Sequence, residues 1–276
     1  MKTTSAKLKR RAKAKLKGRY GSCVGAELVA TAIVVGFIIM FFFILFFIAA
    51  ASDMFYYSFN QSDIGTVITV TLFFVIYILF LVVMALMGPG LLRFYYNLAV
   101  EKNPEISNLL FGVKNVPLKF LALYGIQLIV GLVCAIPYIV VMIAGVITDF
   151  IPIMAVLLVL MYILMLAGVL VINIYMSQSM FILLESTDKG VIQSIMESVQ
   201  MMKGSKGRLF YLYLSFTGMI ILGYCSAYIG FLWIFPYMRT TLTEFYLDLK
   251  AQQAKKVVEQ LADPSFESMW NQEKRQ

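Results

Sequence analysis

Histidine is absent from all 276 residues, and cysteine occurs three times, at Cys23, Cys134 and Cys225. Without histidine there is no Ser-His or Cys-His pair for nucleophilic catalysis and no imidazole to hold zinc or haem. Each cysteine sits inside an apolar run and none has a CxxC neighbour, which argues against disulfides and thiolate metal sites. Charge is scarce too, at 14% of residues, where soluble domains carry about 25%. A phosphate-cradling loop is also missing, because "KGSKGR" at 203–208 has neither the preceding strand nor the P-loop spacing. No enzymatic activity, no metal and no cofactor is expected on these grounds.

Apolar residues make up 61% of the chain, and they come in runs. About 20 residues at 1.5 Å each cross the roughly 30 Å of hydrocarbon in a bilayer. Six runs qualify as candidate spans: Cys23 to Ala51, Ile64 to Leu86, Phe120 to Ile147, Ile151 to Leu184, Leu209 to Cys225 and Tyr228 to Leu247. The expected fold is therefore all-α, a polytopic transmembrane helical bundle of six spans in three hairpins linked by cytoplasmic amphipathic helices. "IAAAS" at 48–52 looks like a signal-peptide cleavage site, but the apolar run before it is about twice the usual length, so an uncleaved span is expected.

The net charge is +8, yet nine Lys and Arg precede Tyr20 and no acid occurs before Glu27. Cytoplasmic loops collect Lys and Arg. Six spans with an internal N-terminus leave Asp53, Asp63 and Asp149 and no basic residue in the outer loops. Five spans would export Lys250, Lys255, Lys256, Lys274 and Arg275. Both termini are accordingly expected in the cytoplasm, with the basic end against the anionic inner leaflet of the phospholipid bilayer. Nucleic acid is not an expected partner, since the basic arm has almost no interleaved aromatics. The organisation expected is a basic arm or helix over 1–22, a membrane domain over 23–249 and a cytoplasmic tail over 250–276. Surface helices are expected at 103–114 and 188–203, from apolar residues at helical spacing such as Ile195, Met196, Val199 and Met202. Thr187 or Asp188 is a candidate cap for the second, and Asn103 for the first, with Pro104 in its opening position. "LKGRYG" at 16–21 resembles "MKGSKGRL" at 202–209, which suggests a threefold repeat of surface helix and hairpin; chance likeness of basic connectors is the plainer alternative.

Polar residues within the runs define the candidate site. Counting from the cytoplasmic ends at 1.5 Å per residue places Glu27, Gln127 and Gln178 about 9–12 Å inside and Arg239 about 13 Å inside. Asn173 is deeper and Glu244 is close to Arg239, completing a polar layer. A charge at such depth costs about 2.5 kcal/mol or more, so Arg239 requires a partner, and Glu27 is the expected one. Arg93, Arg239, Lys206 and Arg208 are candidate contacts for an anion or lipid. Arg93 follows "GPG" at 88–90, expected to end or kink its span. The competing reading is a structural ion pair plus ordinary interhelical hydrogen bonds from Gln127, Asn173 and Gln178.

The stretch from Ile182 to Leu249 also carries a resemblance. Glu197-Ser198, Lys203-Gly204, Arg208-Leu209-Phe210, Leu214-Ser215-Phe216, Leu232-Trp233, Pro236-Tyr237 and Phe245-Tyr246 together resemble the domain-of-unknown-function 975 family of bacterial integral membrane proteins, and "LLFGVKN" at 109–115 looks similar too. A more distant likeness is to the membrane domains attached to some glycerophosphodiester phosphodiesterases, without their soluble barrel. The resemblance implies a bacterial cytoplasmic membrane location and brings no catalytic residue. The expected function is a non-catalytic accessory or scaffold protein that binds lipid, a membrane-protein partner or a second copy of itself. The alternative is a small transporter or flippase for an anionic solute or lipid.

Overall fold

A computed structural model describes residues 3–58, 63–148 and 152–262, with the side chains of 48–66, 68 and 69 left out. Of the expected outer-loop acids, Asp53 lies within a helix and Asp63 opens one, with their side chains left out, while Asp149 and the tail beyond Ala262 lie outside the described residues. Every element in the described residues is helical. α1 (Ser5–Leu16), α2 (Tyr20–Ser58) and α3 (Asp63–Ala99) lead to a 3-10 turn at Ile106–Leu110 and the single turn α4 (Phe111–Lys114). Then follow α5 (Pro117–Ile147), α6 (Pro152–Met176), α7 (Ser179–Glu185), α8 (Val191–Met202), α9 (Lys206–Leu214), α10 (Thr217–Cys225) and α11 (Phe231–Leu261). Five stretches are long and apolar enough to cross a membrane: Tyr20–Phe47, Val70–Ala99, Pro117–Ile147, Pro152–Glu185 and Lys206–Cys225. The chain is a helical membrane protein.

The core is gathered at one end of these helices. α2 has 39 residues, about 58 Å at the helical rise, nearly twice the hydrocarbon thickness. Its first turns are buried, at Cys23, Ala26, Glu27 and Ala30, while Phe42, Phe43, Phe46 and Phe47 further along are exposed. α3 mirrors it, exposed at Phe74, Val75 and Ile78 and fully buried at Phe94, Tyr95 and Leu98. The packed base therefore holds α1, α8, α9 and the basal ends of α2, α3, α5, α7 and α11, and apolar hairpins rise from it. α2 pairs with α3, α5 with α6, and α10 with α11. The third hairpin is the shortest.

The base repeats its own pattern. α1 and α8 each have 12 residues, entered from Thr4 (φ −73°, ψ 152°) and Gly190 (φ −70°, ψ 154°). Both end in a type II turn, Lys17 (φ −59°, ψ 123°) then Gly18 (φ 78°), and Lys203 (φ −59°, ψ 118°) then Gly204 (φ 76°). A left-handed second residue is what such a turn requires of its glycine. At a constant offset the buried Leu8, Ala12 and Leu16 correspond to Ser194, Ser198 and Met202, and Cys23, Ala26 and Ala30 to Leu209, Leu212 and Phe216. The middle unit keeps part of the pattern: Ala12 corresponds to Leu109, Cys23 to Phe120 and Ala26 to Leu123, all buried. Each connector packs on the returning helix of a hairpin. The 3-10 turn and α4 lie on α3, α8 lies on α6 and α7, and α1 closes the circle by lying on α11.

Several local expectations change. α3 continues through Pro89; the glycines beside it serve close approach, because a Cβ at Gly90 would overlap the Leu109 carbonyl. The helix expected at 103–114 starts at Ile106, from Glu105 and without a side-chain cap, so neither Asn103 nor Pro104 has the role expected of it. α8 starts from Gly190, and neither Thr187 nor Asp188 caps it. Its buried face carries the small Ser194 and Ser198 beside Met201 and Met202, with Ile192 and Met196 exposed. Small side chains let α8 approach the chain at Gln178, where the fourth run breaks. Ser198 Oγ donates to the Tyr175 carbonyl at 2.7 Å and accepts the Gln178 N–H at 3.1 Å, satisfying both sides of the break.

Candidate functional site

Arg239 and Glu27 meet as expected, Nε to Oε1 at 2.9 Å, with side-chain exposures of 36% and 6%. Tyr95 donates its hydroxyl to the same Glu27 oxygen at 2.8 Å. Among the described residues the two terminal amino groups of Arg239 have no protein acceptor. Arg239 lines a cavity of about 340 Å³ where α3, α5, α6, α7, α9 and α11 come together, with Tyr124, Gln127, Asn173, Ser177, Ser179 and Tyr213 as its other polar walls. Gln127 Nε2 donates to Asn173 Oδ1 at 2.6 Å across it. In the repeat, Glu27, Tyr124 and Tyr213 hold one equivalent position: one binds the arginine and two line the cavity. The tyrosines went unnoticed in sequence because only the repeat alignment marks them.

The depth of this site differs from that given by counting along the chain. α1 runs antiparallel to α11: Thr3 Oγ1 donates to Asp248 at 2.5 Å, and the Lys13 ammonium lies over the Tyr237 ring at 5.7 Å. Arg239 thus shares a level with one of the most basic helices of the chain. Lysines such as Lys7, Lys13 and Lys17 need water or headgroups around them, which argues for an interfacial rather than a deep position of Arg239.

The remaining candidates disperse. Gln178 is buried, donating to Ser177 Oγ at 2.7 Å and leaving its Oε1 unpaired among the described residues. Glu244 is buried in the field of Lys15 and Arg11, on the α1 side of α11. The hydroxyls of Thr240, Thr241 and Thr243 turn back to the carbonyls of Pro236, Tyr237 and Arg239, so they add no polarity to the cavity. Arg93 lies 4.9 Å from the Phe111 ring centre and reaches the Leu184 carbonyl. Lys206 covers the Tyr175 ring at 4.0 Å. Arg208 pairs with Asp248 at 2.7 Å and holds the Thr3 carbonyl at 2.6 Å, tying the start of α1 to α11. Of the four expected anion contacts, Arg239 alone lines the cavity.

A second polar centre was not foreseen. Glu185, at the end of α7, accepts the hydroxyls of Tyr96 at 2.9 Å and Tyr246 at 2.7 Å and pairs with Lys250, joining α3, α7 and α11. Phe181 stacks on Tyr246 at 4.8 Å below it. Each Glu185 oxygen is engaged, which marks this centre as a structural clasp. No group of three or more Cys, Asp or Glu side chains is placed to hold a metal among the described residues.

Residues 1–253 match the model of a family described as protein of unknown function (DUF975). No curated protein and no solved structure matches the chain.

Proposed function

The chain belongs to that family, and from its own geometry we propose that it is a non-catalytic accessory protein of the bacterial cytoplasmic membrane that binds a phosphate-bearing ligand beside Arg239. In this reading six segments enter and leave the bilayer as three hairpins, the packed base lies at the cytoplasmic interface, and both termini are cytoplasmic. The positive-inside distribution supports the orientation. The Thr3–Asp248 contact supports an even number of passes, since it holds the N-terminus beside the far end of α11.

One observation carries the binding reading. Glu27 pairs with Arg239 on its Nε side, which leaves the terminal amino groups unspent at a cavity of about 340 Å³. A guanidinium held this way is a fork suited to phosphate oxygens, and tyrosine, serine and amide groups around it can complete the shell. The absence of histidine and of a nucleophile-base pair supports a binding role over a catalytic one. The test is thermal unfolding of the purified, delipidated protein with inorganic phosphate or phosphatidylglycerol added. A ligand that binds the folded state raises the midpoint. Stabilisation by at least one of them, weakened in Arg239→Gln, is the expected result; no stabilisation by either refutes the reading.

Transport is the second reading, favoured by the cavity lying among all three hairpins. Protein-dependent movement of a labelled phospholipid or anion in proteoliposomes would establish it.

A further inference from the structure

The Arg239 cavity has a neighbour of opposite character. Between α3 and α5 lies an apolar groove of about 630 Å³, walled by Ile78, Leu81, Val82, Ala85 and Leu128. Tyr124 and Gln127 line both spaces, so the groove and the cavity adjoin at those two side chains. Ile78, Leu81 and Leu128 are 57%, 42% and 58% exposed, which leaves the groove open along its side.

The dimensions fit one class of molecule. From Ile78 in the groove to Gly88 in the cavity, the two spaces together follow about ten residues of α3, roughly 15 Å. That is half of the roughly 30 Å hydrocarbon thickness, the length of one leaflet. Arg239, at the level of the lysines of α1, stands where the headgroups of that leaflet lie. A polar, cationic end at headgroup level joined to an apolar trough one leaflet deep is complementary to a phospholipid standing in its normal orientation.

Resting on the phosphate-binding reading above, we infer that the ligand is a phospholipid of the inner leaflet, its phosphodiester against the Arg239 amino groups and one acyl chain along the α3–α5 groove. A small water-soluble phosphate would have no use for the groove.

The experiment uses the full-length protein, delipidated in a non-ionic detergent, with phosphatidylglycerol and inorganic phosphate as separate ligands and the unfolding midpoint as readout. Gly125 lines the groove, and a Cβ there meets nothing within 4 Å, so Gly125→Trp fills the trough with little disturbance to the fold. Leu160→Trp on the exposed face of α6 is the control for bulk alone. Phosphatidylglycerol is expected to bind the native protein at least tenfold more tightly than inorganic phosphate does. Gly125→Trp is expected to weaken lipid at least tenfold while leaving any phosphate response and the unliganded midpoint within error, and Leu160→Trp to change neither. Lipid binding that is insensitive to Gly125→Trp, or phosphate binding as tight as lipid, overturns this inference and leaves the phosphate reading standing. If neither ligand stabilises the protein, both fall. Should Gly125→Trp itself lower the unliganded midpoint, Ala85→Leu on the facing helix provides the same comparison.

Discussion

Arg239 of α11 forms an ion pair with Glu27 of α2, Nε to Oε1 at 2.9 Å, and this contact joins the first repeat unit to the last. The pair also explains why both charges are tolerated near the membrane. Glu27 is buried and would be costly alone, while its second partner, the Tyr95 hydroxyl at 2.8 Å, brings in α3. Three helices from the two ends of the chain are thereby held at one point.

Glu27→Ala and Arg239→Ala are each expected to destabilise the protein by about 2 kcal/mol, less than the 3–5 kcal/mol typical of a fully buried pair because Arg239 keeps some exposure. The exchange Glu27→Arg with Arg239→Glu is expected to regain at least half of the loss. Thermal unfolding of the single and double variants checks this; a double variant no better than the worse single one would refute the pairing.

Ser198→Ala removes the hydroxyl that satisfies both the Tyr175 carbonyl and the Gln178 N–H. A buried backbone group left unpaired costs about 1–3 kcal/mol. Faster hydrogen exchange confined to Gln178 and the start of α7 is expected, with a midpoint lowered by several degrees.

Gly90→Ala would drive a methyl group into the Leu109 carbonyl. The 3-10 turn must then shift off α3, at a cost of about 1–3 kcal/mol. Gly131→Ala meets nothing within 4 Å and is expected to leave stability unchanged or slightly raised by helix propensity. Equal unfolding midpoints for the two variants would refute the close packing.

Leu16→Asp places a charge at a fully buried position of α1, whereas Ile192→Asp changes a side chain of α8 that is 67% exposed. Trypsin added to inside-out vesicles is expected to cleave within residues 7–17 of the first variant far faster than in the native protein, and to cleave the second at the native rate. An impermeant thiol reagent applied to intact cells is expected to leave Lys255→Cys unlabelled; labelling would show that α11 ends outside.

The all-helical character and five of the six expected apolar runs were legible in the chain, because hydrocarbon imposes its demand locally: a run such as Pro117–Ile147 satisfies its backbone by itself and its composition declares it. The Glu27–Arg239 pair was legible for the same reason, since isolated charges in apolar sequence must find each other. The likeness of "LKGRYG" to "MKGSKGRL" pointed correctly to equivalent turns, because Gly18 and Gly204 answer to a local backbone requirement. Contacts between distant elements were not legible. Counting from Asp248 gave Arg239 a depth but no neighbours on the far side, and the antiparallel docking of α1 on α11 sets lysines at its level. Likewise, nothing local distinguishes Tyr124, Tyr213 or Glu185 from other residues of their kind. Gly88 makes room for the Tyr124 hydroxyl, which a Cβ there would overlap, and such packing depends on shape across the whole base, which no single segment encodes.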